Sequence, residues 1–382
     1  MATRNIVLII GNGFDLDLGL KTSYKDFWES DFCPKDYPAP LIYHLGKKWD
    51  DSLDAIKWYD LENALFDYYS NLKEPTKGED CLTNEELQCF QSFRPYLWLN
   101  GQYTSHHILE LIANLVDKGA LTCKERPGFD IPSIDYNDYK EDCFQSPIWR
   151  DEKALSLIKK GLCDYLKQYS SNNAPYVEST AFQVVISLMN NQGYNINVYS
   201  FNYTNLPFES EGSNKGRFHF VHGNCLDGKV IVGTRDADYV KEYCFLQKAF
   251  DKHFSPPPIV DDLASADEVI IFGHSLGIND RQYFKPFFTE QSRFDRTKRK
   301  KITIITKDDS SEVEIKMALQ QLTNNQLSVL MSKNDVTFIK TEMEPEDQNE
   351  LKKFFLSHRI KGTTPKDIIQ KIVEHKKMLK DS

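Results

Sequence analysis

Short apolar runs rich in β-branched residues recur along the chain and predict strands. The runs "IVLII" at 6–10 and "VIIF" at 269–272 are continuous rather than alternating. Continuous runs are typical of strands that are buried on both faces of a parallel sheet. The complete set of predicted strands is 5–10, 195–200, 218–221, 229–232, 268–272, 302–306 and 336–339.

Amphipathic segments separate several of these runs and predict helices. Trp58, Leu61, Leu65 and Tyr68 fall on one helix face. Helical patterns continue through most of the region between about 40 and 190, at 85–93, 106–119, 152–169 and 180–191, with loops at 73–82, 124–148 and 171–176. Two charged helices are expected at about 345–358 and 365–379.

The order of these elements predicts an α/β fold, a parallel sheet with a large helical insertion after the first strand. The predicted domains are a nucleotide-binding core at 1–40 and 191–344, a helical insertion at 41–190, and C-terminal helices at 345–382.

Composition narrows the class of protein. The chain has 382 residues, of which 40% are apolar and 27% charged, as in a globular protein. A net charge of −9 argues against a nucleic-acid partner. The one basic stretch, "RFDRTKRKK" at 293–301, is interpreted as a solvated loop, with a phosphate-contacting patch as the alternative.

Cysteine spacing and the lengths of the apolar runs predict the cellular setting. The eight cysteines form no C-x-x-C pair, so we expect free thiols and no structural metal. No apolar run approaches the roughly 18 residues of a membrane helix. The N-terminal run is too short for a signal peptide. We therefore expect a cytoplasmic protein without a membrane partner.

Small or polar residues follow four of the predicted strands. These segments are "GNGFDLDLGL" at 11–20, "FNYTN" at 201–205, "HGN" at 222–224 and "GHSLGIND" at 273–280. Ligands bind outside the carboxyl ends of the strands in such sheets. Polar segments after four strands therefore predict a nucleotide-binding crevice at the carboxyl edge of the sheet.

Gly11-Asn12-Gly13 allows close backbone approach and frees amide donors for an anion such as a pyrophosphate, although a simple turn is the alternative. Asn202 and His222 end two strands and could orient a ribose and move its protons, or could be a turn residue and a buried structural histidine. Glu62 could point into the site, but its spacing favours a solvated position.

The stretch Gly273-His274-Ser275-Leu276-Gly277 spells G-x-S-x-G, the elbow that presents the nucleophile of α/β-hydrolases. In that fold the catalytic acid and histidine follow the serine. Only His358 and His375 lie downstream, both in charged C-terminal helices. We therefore predict a ligand-contacting turn rather than a nucleophile, with a serine hydrolase as the third hypothesis.

"IIGNGFDLDLGLKTSYKDF", "WYDLENAL", "SFNYTN", "HGN" and "IIFGHSLGINDRQYF" together closely resemble the AbiH family of bacterial phage abortive-infection proteins. The resemblance spans residues 6 to about 285. More distantly, the order of motifs is similar to that of sirtuin-like NAD-hydrolysing defence domains. Together with the predicted parallel sheet, this resemblance implies an α/β fold with a Rossmann-like sheet of the sirtuin type.

The resemblance implies a role for each matching position. Asn202 and His222 would be the catalytic residues. The ligand contacts would be Gly11, Asn12, Gly13, Asp15, Thr204, Gly223, Gly273, His274, Ser275 and Asp280. Asn12, Asp15 and Thr204 depart from the Ala, Ser and Asp of the sirtuin-like motifs.

The function that follows is cleavage of the nicotinamide–ribose bond of NAD, or of a related nucleotide, during an antiphage response. NAD is then the substrate, and no cofactor is expected. A phage-derived trigger is the expected partner, and the sequence leaves a homo-oligomer open. The second hypothesis is a nucleotide-sensing module without turnover.

Overall fold

The computed structural model describes residues 3–54, 60–72, 121–126, 129–134, 147–170, 179–189, 191, 193–205, 217–236, 240–342 and 349–358. The chain forms two compact units. The first comprises Met1–Ser23, Leu166–Val230 and Ser255–Ser382, and the second comprises Tyr24–Tyr165 and Ile231–Phe254.

The strands are β1 (Arg4–Ile10), β2 (Leu121–Arg126), β3 (Phe129–Ile134), β4 (Tyr194–Ser200), β5 (Arg217–Phe220), β6 (Glu268–Phe272), β7 (Lys301–Thr306) and β8 (Asp335–Lys340). The helices are α1 (Asn12–Asp17), α2 (Tyr24–Glu29), α3 (Pro40–Asp54), α4 (Leu61–Asn71), α5 (Pro147–Ser170), α6 (Thr180–Met189), α7 (Ile259–Ser265), α8 (Arg281–Gln291), α9 (Asp309–Leu322), α10 (Leu327–Lys333) and α11 (Asn349–Ser357).

Six parallel strands form the sheet of the first unit, in the order β5-β4-β1-β6-β7-β8. Counted along the chain within the sheet, this is the 3-2-1-4-5-6 order of doubly wound dinucleotide-binding folds. The predicted α/β class and Rossmann-like sheet are confirmed. The order reverses between β1 and β6, and the carboxyl ends of these two strands mark the crevice where such folds bind ligands.

Alternate residues of β1 explain why its apolar run is continuous. Ile6, Leu8 and Ile10 pack in one core cluster with residues of α6 and α11. Val7 and Ile9 pack in a second cluster with residues of α7, α8, α9 and α10. Because successive side chains of a strand point to opposite faces, both faces of the sheet are covered by helices.

One predicted strand is wrong. The run at 229–232 forms no strand, although Val230, Ile231 and Val232 are buried. Its neighbour Thr234 makes only an isolated bridge to Gln247. An apolar run shows that side chains are buried, but it does not show that the backbone joins a ladder of hydrogen bonds.

The second unit contains helices and an antiparallel pair. Leu61, Leu65 and Tyr68 of α4 are buried as predicted, and Asp60 caps the helix by accepting a hydrogen bond from the Asn63 amide at 3.0 Å. Strands β2 and β3 pair where the sequence predicted a loop from 124 onwards. The predicted helices at 85–93, 106–119 and 365–379 lie outside the described residues, as does Trp58.

The solvated interpretation of Glu62 is wrong. Glu62 is buried within the second unit, and its Oε2 lies 2.8 Å from Nζ of the equally buried Lys248. The pairing is between residues 186 positions apart, so no local spacing could predict it. A buried carboxylate is tolerated here because a buried cation compensates its charge.

The basic stretch before β7 is largely bound to its own chain. Arg293 contacts Asp295 at 2.7 Å, and Lys301 contacts Glu268 at 3.0 Å. Lys300 donates to backbone carbonyls at the end of α7. These contacts lie at the amino ends of the strands, opposite the crevice. Among the described helices, none is long and apolar enough to cross a membrane.

Candidate functional site

The loops after β1, β4, β5 and β6 place every predicted site residue at the carboxyl edge of the sheet. β5 and β6 are three positions apart in the sheet, or about 14 Å at the usual strand spacing. The segments that follow them nevertheless touch, because they reach across the ends of β4 and β1. The site is therefore built over the point where the strand order reverses.

Three glycines bring the β1 and β6 loops into contact. A Cβ atom on Gly13 would lie 2.7 Å from the Gly273 Cα, and Gly273 has a φ of +62°. The Gly13 amide donates to the Gly273 carbonyl at 2.9 Å, and the Gly11 amide donates to the Phe272 carbonyl at 3.0 Å. The predicted close approach is present, but it joins two loops. The amides of Gly11 and Gly13, which were expected to be free for an anion, are already bonded.

Asp15 is a buried carboxyl group beside these loops. It is 1% exposed, and its Oδ2 accepts a hydrogen bond from Thr204 Oγ1 at 2.6 Å. Burial raises the pKa of Asp15 to about 6, although the polar side chains of Thr204, Asn202 and Thr22 lower it in part. Thr22 donates to Asn12 Oδ1 at 2.9 Å. Strongly shifted pKa values are common at functional sites, so Asp15 is a candidate for contact with a ligand.

Asn202 joins the ends of β4 and β1. Its Nδ2 donates to the Gly11 carbonyl at 3.0 Å, and its backbone amide donates to Ser200 Oγ at 3.2 Å. The side chain is 6% exposed. With Nδ2 held in this way, contact with a ligand would fall to the amide oxygen Oδ1.

His222, Asp280 and His274 form a chain of polar groups. His222 Nε2 lies 2.9 Å from Asp280 Oδ1, and His274 Nε2 lies 3.5 Å from Asp280 Oδ2. His274 Nδ1 accepts a hydrogen bond from the Leu276 amide at 2.9 Å. That bond puts the proton of neutral His274 on Nε2, facing Asp280. The carboxylate can therefore orient His222 as a base.

Aromatic rings pack around this chain of polar groups. The Phe201 ring is edge-on to His222 at 5.5 Å and to His274 at 4.4 Å between ring centres. Tyr283 and Phe284 of α8 pack on the same ring at 5.7 and 5.4 Å. This apolar shell limits access of water, which strengthens the electrostatic interaction between the imidazole and the carboxylate.

Gly223 fixes the turn that carries His222. Its φ is +74°, and a Cβ atom there would lie 1.6 Å from the Lys229 carbonyl oxygen. The next residue, Asn224, closes the turn by accepting a hydrogen bond from the Asp227 amide at 2.9 Å. Glycine is therefore required at 223 by the backbone, whatever its relation to a ligand.

Ser275 lacks the surroundings of a hydrolase nucleophile. It is exposed, and the non-glycine residue with positive φ in this turn is Leu276, at 54°, rather than the serine. His358 is buried and its Nε2 lies 3.3 Å from Glu268. Glu268 begins β6 whereas Ser275 follows its end, so His358 lies at the opposite edge of the sheet. His375 lies outside the described residues.

Sequence reasoning did not foresee two pairings. His222 and Asp280 are 58 residues apart, and Asp15 and Thr204 are 189 apart. A signal was present in both cases, because each member follows a strand of the same parallel sheet. Within the described residues, no three metal-ligating side chains lie together.

The fold and the site define a doubly wound α/β protein with a His–Asp pair in the crevice at the carboxyl edge. The family described as "Bacteriophage abortive infection AbiH" matches residues 7–304. The chain therefore belongs to the AbiH family, as the motifs predicted, and the membership points to a role in abortive infection. No curated protein and no solved structure matches the chain significantly. The resemblance to sirtuin-like domains stays a prediction.

Proposed function

We propose that the chain is an abortive-infection effector that hydrolyses the nicotinamide–ribose bond of NAD or of a related nucleotide. The observation that carries the proposal is the 2.9 Å contact between His222 Nε2 and Asp280 Oδ1. A carboxylate that holds an imidazole in place is the usual arrangement for orienting a general base. The pair lies where folds of this strand order bind nucleotides.

The protein has two tasks in this reaction: it positions the ribose and the attacking water, and it supplies a base for the proton of that water. Nicotinamide leaves as a neutral molecule because it takes the electron pair of the broken bond onto its cationic ring nitrogen. The ribose carbon, then oxocarbenium-like, is attacked by water. Since Nε2 of His222 is held by Asp280, the proton of that water would pass to Nδ1. The Oδ1 atom of Asn202 would position the water or a ribose hydroxyl.

The remaining predicted residues would line the ligand. Asp15 and Asn12 follow β1, and Ser275 follows β6, so these residues come from the two strands between which the strand order reverses. Asp280, which the resemblance implies as a ligand contact, lies against His222. We therefore assign it the role of positioning that base.

Burial of Asn202 and His222 favours a second candidate function, a nucleotide-sensing module without turnover. Asn202 is 6% exposed and His222 is 3% exposed. Because His222 is almost inaccessible to solvent, the site could bind a nucleotide without admitting the water that hydrolysis requires. Product formation distinguishes the two candidates.

The test is nicotinamide release from NAD by the purified chain, alongside direct measurement of NAD binding. A general base contributes about 10²–10⁴-fold, so His222→Ala should reduce release to background. The matched control is His253→Ala, which makes the same change at an exposed histidine. Binding without release by the wild type would favour the sensing module.

The cellular test follows NAD after phage infection. Cells with the wild type should lose NAD and be protected, whereas His222→Ala should lose both effects and His253→Ala neither. Normal NAD loss with His222→Ala would refute the assigned chemistry. Protection without NAD loss would refute NAD as the substrate.

A further inference from the structure

Arg150, in the first turn of α5, is a buried cation in the second unit. It is 2% exposed, and its Nη1 donates to the Pro38 carbonyl at 2.9 Å. Its two other nitrogens, Nε and Nη2, are shielded from solvent and have no hydrogen-bond partner in the part of the chain that the structure describes. Within the described residues, the guanidinium group of Arg150 therefore makes one hydrogen bond, although it carries five N–H donors.

The acid next to Arg150 compensates its charge only in part. Asp151 Oδ1 accepts a hydrogen bond from the Leu41 amide at 2.9 Å, and Oδ2 accepts one from Tyr68 Oη at 2.6 Å. Burial raises the pKa of Asp151 to about 7, although these hydrogen bonds and the charge of Arg150 lower it in part. The carboxyl group is therefore only partly ionised near neutral pH. Leaving a charge buried without a partner is strongly unfavourable.

The two unbonded nitrogens share one edge of the guanidinium plane. The Nε–H bond and one Nη2–H bond are parallel there, at a spacing that fits two oxygens of a single carboxylate or phosphate. We propose that this edge of Arg150 anchors a binding site for a small oxyanion, either a phosphate or a carboxylate. The site is independent of the His222–Asp280 chemistry, so neither proposal depends on the other.

Access requires movement of the protein. Because both nitrogens are shielded, an anion reaches them only when the surrounding side chains shift. Binding that requires a conformational change is slower than the usual docking of preformed surfaces. Samples should therefore be equilibrated with the anion before measurement.

The first experiment measures the thermal unfolding midpoint of the full chain against increasing inorganic phosphate, acetate or chloride at constant ionic strength. A ligand that binds only the folded state raises the midpoint as its concentration increases. We expect phosphate or acetate to raise it and chloride to have no comparable effect. The more effective of the two identifies the oxyanion class. If neither anion exceeds chloride, the proposal is refuted.

Arg150→Lys keeps the positive charge but removes the two-donor edge. Hydrogen bonds to charged groups contribute enough that the apparent affinity should fall by about tenfold to a hundredfold. The matched control is Arg299→Lys, at an exposed arginine, which should respond as the wild type does. An unchanged response in Arg150→Lys would place the anion elsewhere and refute the proposal.

Wild-type crystals soaked in selenate keep the proposal testable if Arg150→Lys does not fold. Selenate has the tetrahedral shape of phosphate and an anomalous scatterer at its centre. We expect an anomalous peak beside Nε and Nη2 of Arg150. Anomalous peaks only elsewhere, or none, would refute the site.

Discussion

Asp15→Asn tests whether burial controls the chemistry of the crevice. Burial raises the pKa of Asp15 to about 6 in the folded chain, from an ordinary value of 3.8. The folded protein therefore holds this proton more tightly than the unfolded chain does. Between these two values the folded state binds more protons, so the contribution of Asp15 to stability falls as the pH rises.

The magnitude follows from the separation of the two pKa values. About two units correspond to about 3 kcal/mol of unfolding free energy. About 1.4 kcal/mol of that total is lost between about pH 5 and pH 8. The asparagine side chain of the variant would not titrate and could still accept the Thr204 hydrogen bond. The variant should therefore gain about 1.4 kcal/mol relative to the wild type across this range.

Hydrogen exchange of the β1 amides is the suitable assay, because it reports the stability of the unit that contains Asp15. The control is Asp335→Asn, at an exposed aspartate of the same unit. This removal of a carboxyl group at an exposed position should not reproduce the gain expected for Asp15→Asn. If the difference between Asp15→Asn and the wild type is constant from about pH 5 to pH 8, Asp15 does not titrate as described.

Three further changes test other parts of the first unit. Asp280→Asn should slow nicotinamide release about tenfold to a hundredfold, since a charge-assisted hydrogen bond to His222 is lost; an unchanged rate would contradict that role. Ser275→Ala should weaken NAD affinity and leave turnover, and fluorophosphonate labelling of wild-type Ser275 would overturn this. Glu268→Gln should lower unfolding free energy in urea by about 2–4 kcal/mol, because buried Glu268 contacts two cations. Burial raises the pKa of Glu268, but His358 and then Lys301 lower it below its ordinary value. The loss should therefore be present at neutral pH and vanish as Glu268 is protonated in acid; a loss independent of pH would refute this prediction.

The sheet was largely predictable because a parallel sheet with helices on both faces imposes continuous apolar runs. Ile6, Leu8 and Ile10 face one core cluster, while Val7 and Ile9 face the other. The apolar run of β1 is continuous because both sets of side chains are buried. The run at 229–232 failed because burial of side chains occurs without strand pairing. The order of the strands in the sheet could not be predicted, because local hydrophobic periodicity does not depend on which strands are neighbours.

The position of the candidate site residues at one edge of the sheet was predictable, but their contacts with one another were not. Polar residues after parallel strands must gather at one edge, which placed Asn202 and His222 there. Which group faces His222 depends on how far each loop reaches across the neighbouring strand ends. The contact of His222 with Asp280, rather than with an acid from an adjacent strand, required the structure.

The contact between the β1 and β6 loops changes what a ligand can bind. In many nucleotide-binding α/β folds, glycine amides after the first strand face the phosphates. Here the amides of Gly11 and Gly13 donate to the carbonyls of Phe272 and Gly273, and a Cβ atom on Gly273 would lie 2.3 Å from the Phe14 nitrogen. Opening this contact for a pyrophosphate would break both hydrogen bonds.

Recognition would therefore fall to side chains that face the ribose and its base. On this reasoning, nicotinamide riboside, which lacks phosphate, should be cleaved with a kcat/KM within about tenfold of that for NAD. If two or three charge-assisted bonds to phosphate were made instead, the riboside would lose roughly a thousandfold or more. Nicotinamide release from both substrates measures the ratio directly. A thousandfold preference for NAD would show that the phosphates are bound after all, and that the two loops must separate to bind them.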